Sequence, residues 1–169
     1  MGFFDKLFGG KAKDENTSKF TNQSKTILTP LQGKVLAQAD IPDETFAQGI
    51  LGPGCGIEPT GDTVYAPFDG TVTQIATTLH AVGMTSSEGT ELLIHVGIDT
   101  VDMKGQGFTV LVKEGQKVTA GTPLLKVDLD AIRAAGHPTA TAIIVTDGAD
   151  DVKMLAEGDV VPGTPLFKV

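Results

Sequence analysis

Two of the three histidines in this 169-residue chain are spaced so that they could act together. His80 and His95 lie on either side of the sequence Ser-Ser-Glu-Gly at residues 86–89, which has the serine and glycine positions favoured in a β-turn. A two-residue hairpin loop centred between Ser87 and Glu88 would pair His80 directly with His95. Cross-strand neighbours have Cβ atoms about 4.5–5.5 Å apart, so both imidazoles could reach one ligand atom.

Three kinds of chemistry suit such a pair of imidazoles. A zinc site needs a third protein ligand, and the sequence offers no cysteine or obvious carboxylate on that face of the hairpin. A hydrolase triad needs a nucleophile beside the histidine, and no nucleophile-elbow sequence is present. Phosphoryl transfer needs one neutral ring nitrogen as nucleophile, with donors for the phosphate oxygens. A second imidazole and backbone N–H groups could be those donors. A purely structural role for the histidines also stays open at this point.

The alternation of the hairpin predicts which residues surround the pair. In the register above, the aliphatic residues at 92, 94, 96 and 98 face the core, and the histidines face outward. The apolar residues and glycine predicted to share the outward face are Val82, Met84, Leu93 and Gly97. Exposed apolar groups around polar side chains are typical of a protein-docking site. We therefore expect this face to bind a partner protein.

The elements that would position the pair are predicted to be short strands. The chain has 21 glycines, 9 prolines and 5% aromatic residues, which favours strands joined by turns over a helical bundle. One helix is predicted over 129–135, with Asp128 as N-cap and Gly136 at its C-terminal end.

Two sequence repeats indicate an internal duplication. The pattern Pro-x-x-Gly-x-Val occurs at residues 30–35 and 67–72, and residues 114–127 align with 157–169 after one deletion. The predicted fold is therefore an all-β antiparallel sandwich or barrel with pseudo-symmetric halves and one short helix.

The N-terminal segment differs from the rest of the chain. Residues 1–25 carry five lysines and three acidic residues, which gives this segment a net charge of +2. The net charge of the whole chain is −8, so residues 26–169 have a net charge of −10. We interpret 1–25 as a flexible segment and 26–169 as the folded domain. The apolar residues at 3, 4, 7 and 8 would lie on one face of a helix over 2–10, which predicts either weak contact with an anionic membrane or a disordered tail whose phenylalanines dock on the body.

Composition excludes several classes of function. A net charge of −8 repels phosphate backbones, so we expect no nucleic-acid partner. One cysteine excludes an intrachain disulfide framework and favours a reducing compartment. No apolar run approaches the roughly 20 residues that cross a membrane. The expected location is the cytoplasm, with peripheral contact at the inner face of the membrane if the N-terminal helix forms.

Several runs of the sequence resemble the glucose-type enzyme IIA components of the bacterial sugar phosphotransferase system. The resemblance extends from about residue 26 to 169. The runs that carry it are LLIHVGIDTVDMKGQGF (92–108), PLQGKV (30–35), IPDETFAQGILGPGCGIEPT (41–60), APFDGTV (66–72) and Thr-x-His-Ala (78–81). The histidine pair with the following GIDTV is the most specific of these features.

This resemblance implies a phosphotransferase component that works through a phosphohistidine. His95 would accept phosphate from the phosphocarrier protein HPr and pass it to an enzyme IIB domain, His80 would stabilise the phosphate, and Thr78 would orient His80. No metal or organic cofactor is implied, although a ligand from a partner could complete a zinc site with the two histidines.

The resemblance also implies a surface for protein partners, regulatory proteins among them. Asp43 and Asp99 stand where family members meet basic residues of partners, and Phe46 is assigned to the same docking surface. Where family members often carry phenylalanines, this chain has Val82, Leu93 and Val96, and these are assigned to the surface too.

Two alternatives compete with this interpretation. Biotinyl and lipoyl carrier domains are also pseudo-symmetric β-sandwiches with similar half-motifs, but here the position of their modified lysine holds Lys126-Val127 with no Met-Lys pair. A lipid-associated adaptor that uses the N-terminal phenylalanines would leave the histidine pairing to chance.

Overall fold

The computed structural model describes residues 18–169, which fold almost entirely into antiparallel strands. The predicted helix over 2–10 lies outside the described residues. The strands are β1 (Thr26–Leu28), β2 (Gly33–Leu36), β3 (Gly54–Pro59), β4 (Thr63–Tyr65), β5 (Gly70–Ile75), β6 (Ala81–Ser86), β7 (Glu91–His95), β8 (Phe108–Val110), β9 (Lys117–Val118), β10 (Pro123–Val127), β11 (Thr141–Asp147), β12 (Lys153–Met154), β13 (Asp159–Val160) and β14 (Pro165–Lys168). The helices in this range are α1 (Glu44–Ala47) and α2 (Leu129–Ala134), and there are 3-10 turns at Gln38–Asp40 and Thr100–Met103.

The strands form one large sheet and two small ones. The eight-stranded sheet has the order β13-β2-β3-β11-β7-β6-β5-β9, and the small sheets have the orders β1-β14-β12 and β4-β10-β8. All pairings are antiparallel. The main core lies between the large sheet and the small sheets, and it includes Ile94 of β7 and Leu125 of β10. This confirms the predicted all-β antiparallel fold.

The internal duplication is visible in the strand pairing. In one half β2 pairs with β13, and Gly33 lies opposite Val160. In the other half β5 pairs with β9, and Gly70 lies opposite Val118. The order of the large sheet is therefore symmetric about the β11–β7 pair, which places the strand that ends at His95 in the middle.

The glycines of the repeated Pro-x-x-Gly-x-Val pattern are required by close approach of the backbone. A Cβ on Gly33 would lie 2.2 Å from the carbonyl oxygen of Glu58, and one on Gly70 would lie 2.2 Å from that of Thr85. These distances are far inside van der Waals contact, so each repeat needs glycine where its strand enters the sheet.

The predicted short helix is present. Asp128 accepts a hydrogen bond from the N–H of Ala131 at 3.0 Å and so caps α2. Gly136 follows with a φ of +87°, a conformation that favours glycine after the last helical turn.

The predicted register of the β6–β7 hairpin is wrong by one residue. His95 pairs with Ala81 rather than His80, and the pairing continues to Thr85 and Glu91. The loop has three residues instead of two, because Gly89 adopts a φ of +93° and the N–H of residue 86 bonds to the carbonyl oxygen of residue 90. Because of this shift, the β6 side chains that were predicted to face outward with His95 face the core with Leu92 and Ile94 instead.

Residues 18–25 make defined contacts with the folded body. The ring of Phe20 lies 5.5 Å from that of Tyr65, measured between centroids. The Ser24 hydroxyl and the N–H of Lys25 both donate to the Glu88 carboxylate, at 2.5 and 2.7 Å. The proposed boundary at residue 25 stays a prediction, and these contacts tie the preceding residues to the tip of the β6–β7 hairpin. No helix within 18–169 is long and apolar enough to cross a membrane.

Candidate functional site

His95 is placed at the C-terminal end of β7, in the middle of the large sheet. Its neighbour Ile94 points into the main core, so the alternation of the strand directs His95 to the opposite face. On that face a second apolar cluster packs against the sheet, and Phe46 and Ala142 belong to it. His95 is half-buried at the edge of this cluster.

A backbone carbonyl fixes the tautomer of His95. Nδ1 of His95 lies 2.9 Å from the carbonyl oxygen of Gly97, and since a carbonyl can only accept, Nδ1 carries the proton. Gly97 holds this geometry with a φ of +75°, and a Cβ there would lie 2.4 Å from Cγ2 of Thr100. The Nε2 atom of neutral His95 therefore has a free lone pair.

His80 reaches the same place by a different route. It precedes β6, and Leu79 before it has a φ of +66°, which is rare for a large side chain. This left-handed residue interrupts the strand alternation, so the His80 ring can approach His95 although the two are not a cross-strand pair. Nδ1 of His80 lies 2.9 Å from Oγ1 of Thr78, as the resemblance implied.

The two imidazoles are adjacent and edge-on to each other. Their centroids are 4.7 Å apart and their planes are inclined at 82°. Phe46 packs on His95 at 4.9 Å, and Phe108 lies 6.3 Å from His80, both measured between ring centroids. The sequence-predicted association of His80 and His95 is thus present, with aromatic rings on two sides.

The surroundings keep His95 uncharged at neutral pH. Burial and, to a smaller extent, the neighbouring His80 together lower the pKa of His95 to about 4, although the Gly97 hydrogen bond and the charge of Asp43 act in the opposite direction. Burial also lowers the pKa of His80, and an interaction with the backbone of Thr78 acts in the opposite direction. Two neutral imidazoles side by side can offer a nucleophilic nitrogen on one ring and an N–H donor on the other.

Two other kinds of reactive site are a cysteine nucleophile and a metal cluster, and the described residues favour neither. Burial raises the pKa of the Cys55 thiol to about 12, so it stays protonated and unreactive inside the core. Among residues 18–169, no three His, Cys, Asp or Glu side chains come together in a group that could hold a metal ion. The predicted dependence of zinc binding on a partner's ligand stays a prediction.

The predicted docking surface is only partly exposed. Val82 and Met84 are each 1% exposed and belong to the main core, so their predicted outward position is wrong. The cause is the one-residue register shift, which turns these two residues inward. Val96 is fully buried in the same core, and Gly97 is buried as well, so neither residue is available to a partner.

Three of the four remaining residues assigned to that surface are exposed or partly exposed, and the fourth, Phe46, is buried. Asp99 is exposed, and Asp43 and Leu93 are partly exposed. Phe46 is 6% exposed and packs on His95 instead of pointing to solvent. Whether these residues contact a partner stays a prediction.

Sequence reasoning did not identify several residues on the segments that flank Phe46 and Asp99. Ile50, Leu51 and Val101 are exposed apolar residues, 66%, 41% and 51% accessible, on the segments that follow α1 and Asp99. Their runs show neither helical nor strand periodicity, so no pattern predicted their exposure. Gln38 was missed as well, because its contacts join residues distant in sequence.

Comparisons with known proteins give matches to one family over most of the chain. The family model for EIIA 1 of the phosphoenolpyruvate-dependent sugar phosphotransferase system matches residues 25–151. The chain is 44% identical over 146 residues to the PTS system glucose-specific EIIA component of Halalkalibacterium halodurans, covering 85% of this chain and 83% of that protein. It is 40% identical over 157 residues to the PTS system glucose-specific EIICBA component of Streptococcus pneumoniae, covering 92% of this chain.

The lengths and folds of these proteins can also be compared. This chain spans only 22% of the streptococcal protein. The solved structure of glucose permease IIA from Mycoplasma capricolum matches with a TM-score of 0.80 at 30% identity, covering 89% of this chain and 98% of that one. A biotinyl or lipoyl carrier and a lipid-associated adaptor are not favoured by these matches.

Proposed function

The chain belongs to the EIIA 1 family of the phosphoenolpyruvate-dependent sugar phosphotransferase system, and from this premise we propose that Nε2 of His95 carries the phosphoryl group. Family membership makes the chain a phosphocarrier component of that system. The residue-level mechanism is our proposal. It is supported above all by the Nδ1–H···O=C bond from His95 to Gly97, which leaves Nε2 as the unprotonated nitrogen.

In the accepting step, the Nε2 lone pair attacks the phosphorus atom of phospho-HPr. A new P–N bond forms as the P–N bond to the HPr histidine breaks, and the HPr imidazole leaves with the bonding electron pair. The His95 ring gains positive charge, which Nδ1–H shares with the Gly97 carbonyl oxygen. Because His95 has a pKa near 4, it is in the nucleophilic form without first losing a proton at neutral pH.

In the donating step, His80 stabilises the phosphoryl group as it moves to a cysteine thiolate of an enzyme IIB domain. We assign the Thr78 hydroxyl as donor to Nδ1 of His80, which leaves Nε2–H of His80 to donate to a phosphate oxygen. The 4.7 Å separation of the rings supports this role. His95 then leaves phosphorus as a neutral imidazole with its Nδ1–H retained.

The partners in this scheme are HPr and an enzyme IIB domain in the cytoplasm. The streptococcal relative combines C, B and A components in its name, which supports an enzyme IIB partner. Asp99 is exposed and Asp43 is partly exposed beside His95, and the chain has a net charge of −8. Such a surface would attract partners that present positive charge around their own reactive group.

The acceptor is tested by incubating the protein with enzyme I, HPr and phosphoenolpyruvate. We expect one acid-labile, base-stable phosphate in the wild type and none in His95→Gln. His137→Gln is the matched control, because His137 lies in the loop after α2, and phosphate uptake should stay within a factor of a few. Uptake by His95→Gln equal to that of the wild type would contradict the assignment.

The two steps are separated by His80→Gln. This variant should still accept phosphate on His95 but transfer it slowly to enzyme IIB, since the lost donor acts on the leaving phosphoryl group. An equal loss in both steps would mean that His80 maintains the structure of the site instead.

A further inference from the structure

One glutamine side chain joins three parts of the segment that covers His95. Nε2 of Gln38, in the first 3-10 turn, donates to the carbonyl oxygens of Phe46 at 2.9 Å and Gly52 at 2.8 Å. Its Oε1 accepts from the N–H of Gly54 at 3.2 Å. Two carbonyl acceptors require the amide nitrogen on their side, so the orientation of the side chain is fixed by its partners.

These hydrogen bonds connect the large sheet to Phe46, whose ring packs on His95. Gly52 is pressed against β11, because a Cβ there would lie 1.9 Å from the carbonyl oxygen of Val145. From this fixed point Gln38 reaches back to Phe46, whose ring lies 4.9 Å from the His95 ring. The contacts therefore run continuously from the sheet, through one amide, to the imidazole.

The helix that carries Phe46 cannot hold its own position. α1 has four residues, too few to be stable without tertiary contacts. Asp43 caps its N-terminal end, where Oδ1 accepts from the N–H of Phe46 at 3.2 Å. At the C-terminal end, Gln38 donates to the Phe46 carbonyl oxygen.

We propose that Gln38 is a positioning residue for phosphoryl transfer, which holds Phe46 over the His95 imidazole. Phe46 in turn excludes water from one face of the ring and restricts its orientation. Gln38 itself does not touch the reacting atoms. This role of Gln38 extends the proposed role of His95 as phosphate acceptor. The effect of Gln38 on the rate of phosphoryl transfer rests on that proposed role, whereas its effect on the pKa of His95 does not.

Two substitutions remove the connection in different ways. Gln38→Leu deletes all three hydrogen bonds at similar volume, and Gln38→Glu keeps the shape but replaces the donating NH2 group by an oxygen. Gln48→Glu is the matched control, because it makes the same chemical change on the same segment, where Nε2 of Gln48 donates to Glu44 at the exposed surface. If Gln38→Leu does not fold, Gln38→Met serves as a second neutral variant.

The first readout is the pKa of His95, measured by NMR titration of the ring without any phosphotransferase partner. We expect a rise of about one unit in both Gln38 variants because the ring becomes hydrated. The second readout is the rate of acceptance from phospho-HPr, which should fall about five- to tenfold through loss of orientation. Gln48→Glu should change neither.

A double variant tests whether the effect passes through Phe46. Phe46→Ala alone should raise the pKa of His95, and adding Gln38→Leu should raise it no further. A folded Gln38→Leu protein with the wild-type pKa of His95, or additive effects in the double variant, would overturn the proposal. If the wild type accepts no phosphate, the proposed function fails, while the pKa measurements still decide the role of Gln38.

Discussion

Acidification should destabilise the protein specifically through His95. The pKa of an ordinary histidine is 6.5, and burial together with the neighbouring His80 lowers that of His95 to about 4 in the folded state. Between these values the unfolded chain binds a proton that the folded chain excludes, so the contribution of His95 is complete above pH 6.5 and is lost as the pH falls toward 4. The linkage relation gives a loss of about 2 kcal/mol at pH 5, and about 3 kcal/mol once both states are protonated.

Urea unfolding at pH 7 and pH 5 measures this loss. Carboxylates also titrate in this range, so the relevant quantity is the difference between the wild type and His95→Gln. Between the two pH values, the free energy of unfolding of the wild type should fall about 2 kcal/mol further than that of the variant. This corresponds to about 1 M in the urea midpoint. Identical pH dependence in the two proteins would refute the argument that His95 is held neutral by its surroundings.

Three further predictions follow from particular contacts. Gly97→Ala should lower the free energy of unfolding by about 2 kcal/mol or more in urea titrations and abolish phosphate acceptance, because its φ is +75° and a Cβ would collide with Thr100; wild-type stability would contradict the assigned backbone. Leu79→Asn should be more stable than Leu79→Ala by about 0.5–1 kcal/mol, since asparagine tolerates the left-handed backbone that Leu79 adopts; the opposite order in thermal unfolding would argue against it. Removing residues 1–17 while keeping the contacts of 18–25 should leave acceptance from HPr in solution unchanged and weaken co-sedimentation with anionic vesicles, whereas undiminished co-sedimentation would exclude membrane contact by that segment.

The sequence was sufficient for features that depend on local chemistry or repetition. Asp128 and Gly136 mark the ends of α2 because capping is a short-range interaction. The two repeats occupy equivalent places because Gly33 and Gly70 each meet a neighbouring strand at the same close distance. The association of His80 with His95 was also predicted, although the hairpin register that predicted it was wrong.

Features that depend on backbone conformation or distant contacts were not predictable in the same way. The amino-acid sequence does not distinguish a two-residue loop from the three-residue loop that Gly89 permits. The two-residue loop was therefore predicted, and it placed Val82 and Met84 on the wrong face of the hairpin. Leu79 adopts a left-handed backbone conformation, which leucine disfavours, so the sequence gives no sign of it. This conformation brings His80 close to His95 although the two residues are not paired across the strands. The contacts of Gln38 with the segment at 46–54 exist only in the folded chain.

In the proposed mechanism, Nε2 of His95 is the nucleophile because Nδ1 donates its proton to the Gly97 carbonyl oxygen. The most direct test is 15N and 31P NMR of the protein labelled in its histidines, after phosphorylation by enzyme I, HPr and phosphoenolpyruvate. We expect phosphorus bonded to Nε2 of His95, with the proton retained on Nδ1. Phosphorus on Nδ1 of His95, or on His80, would contradict it.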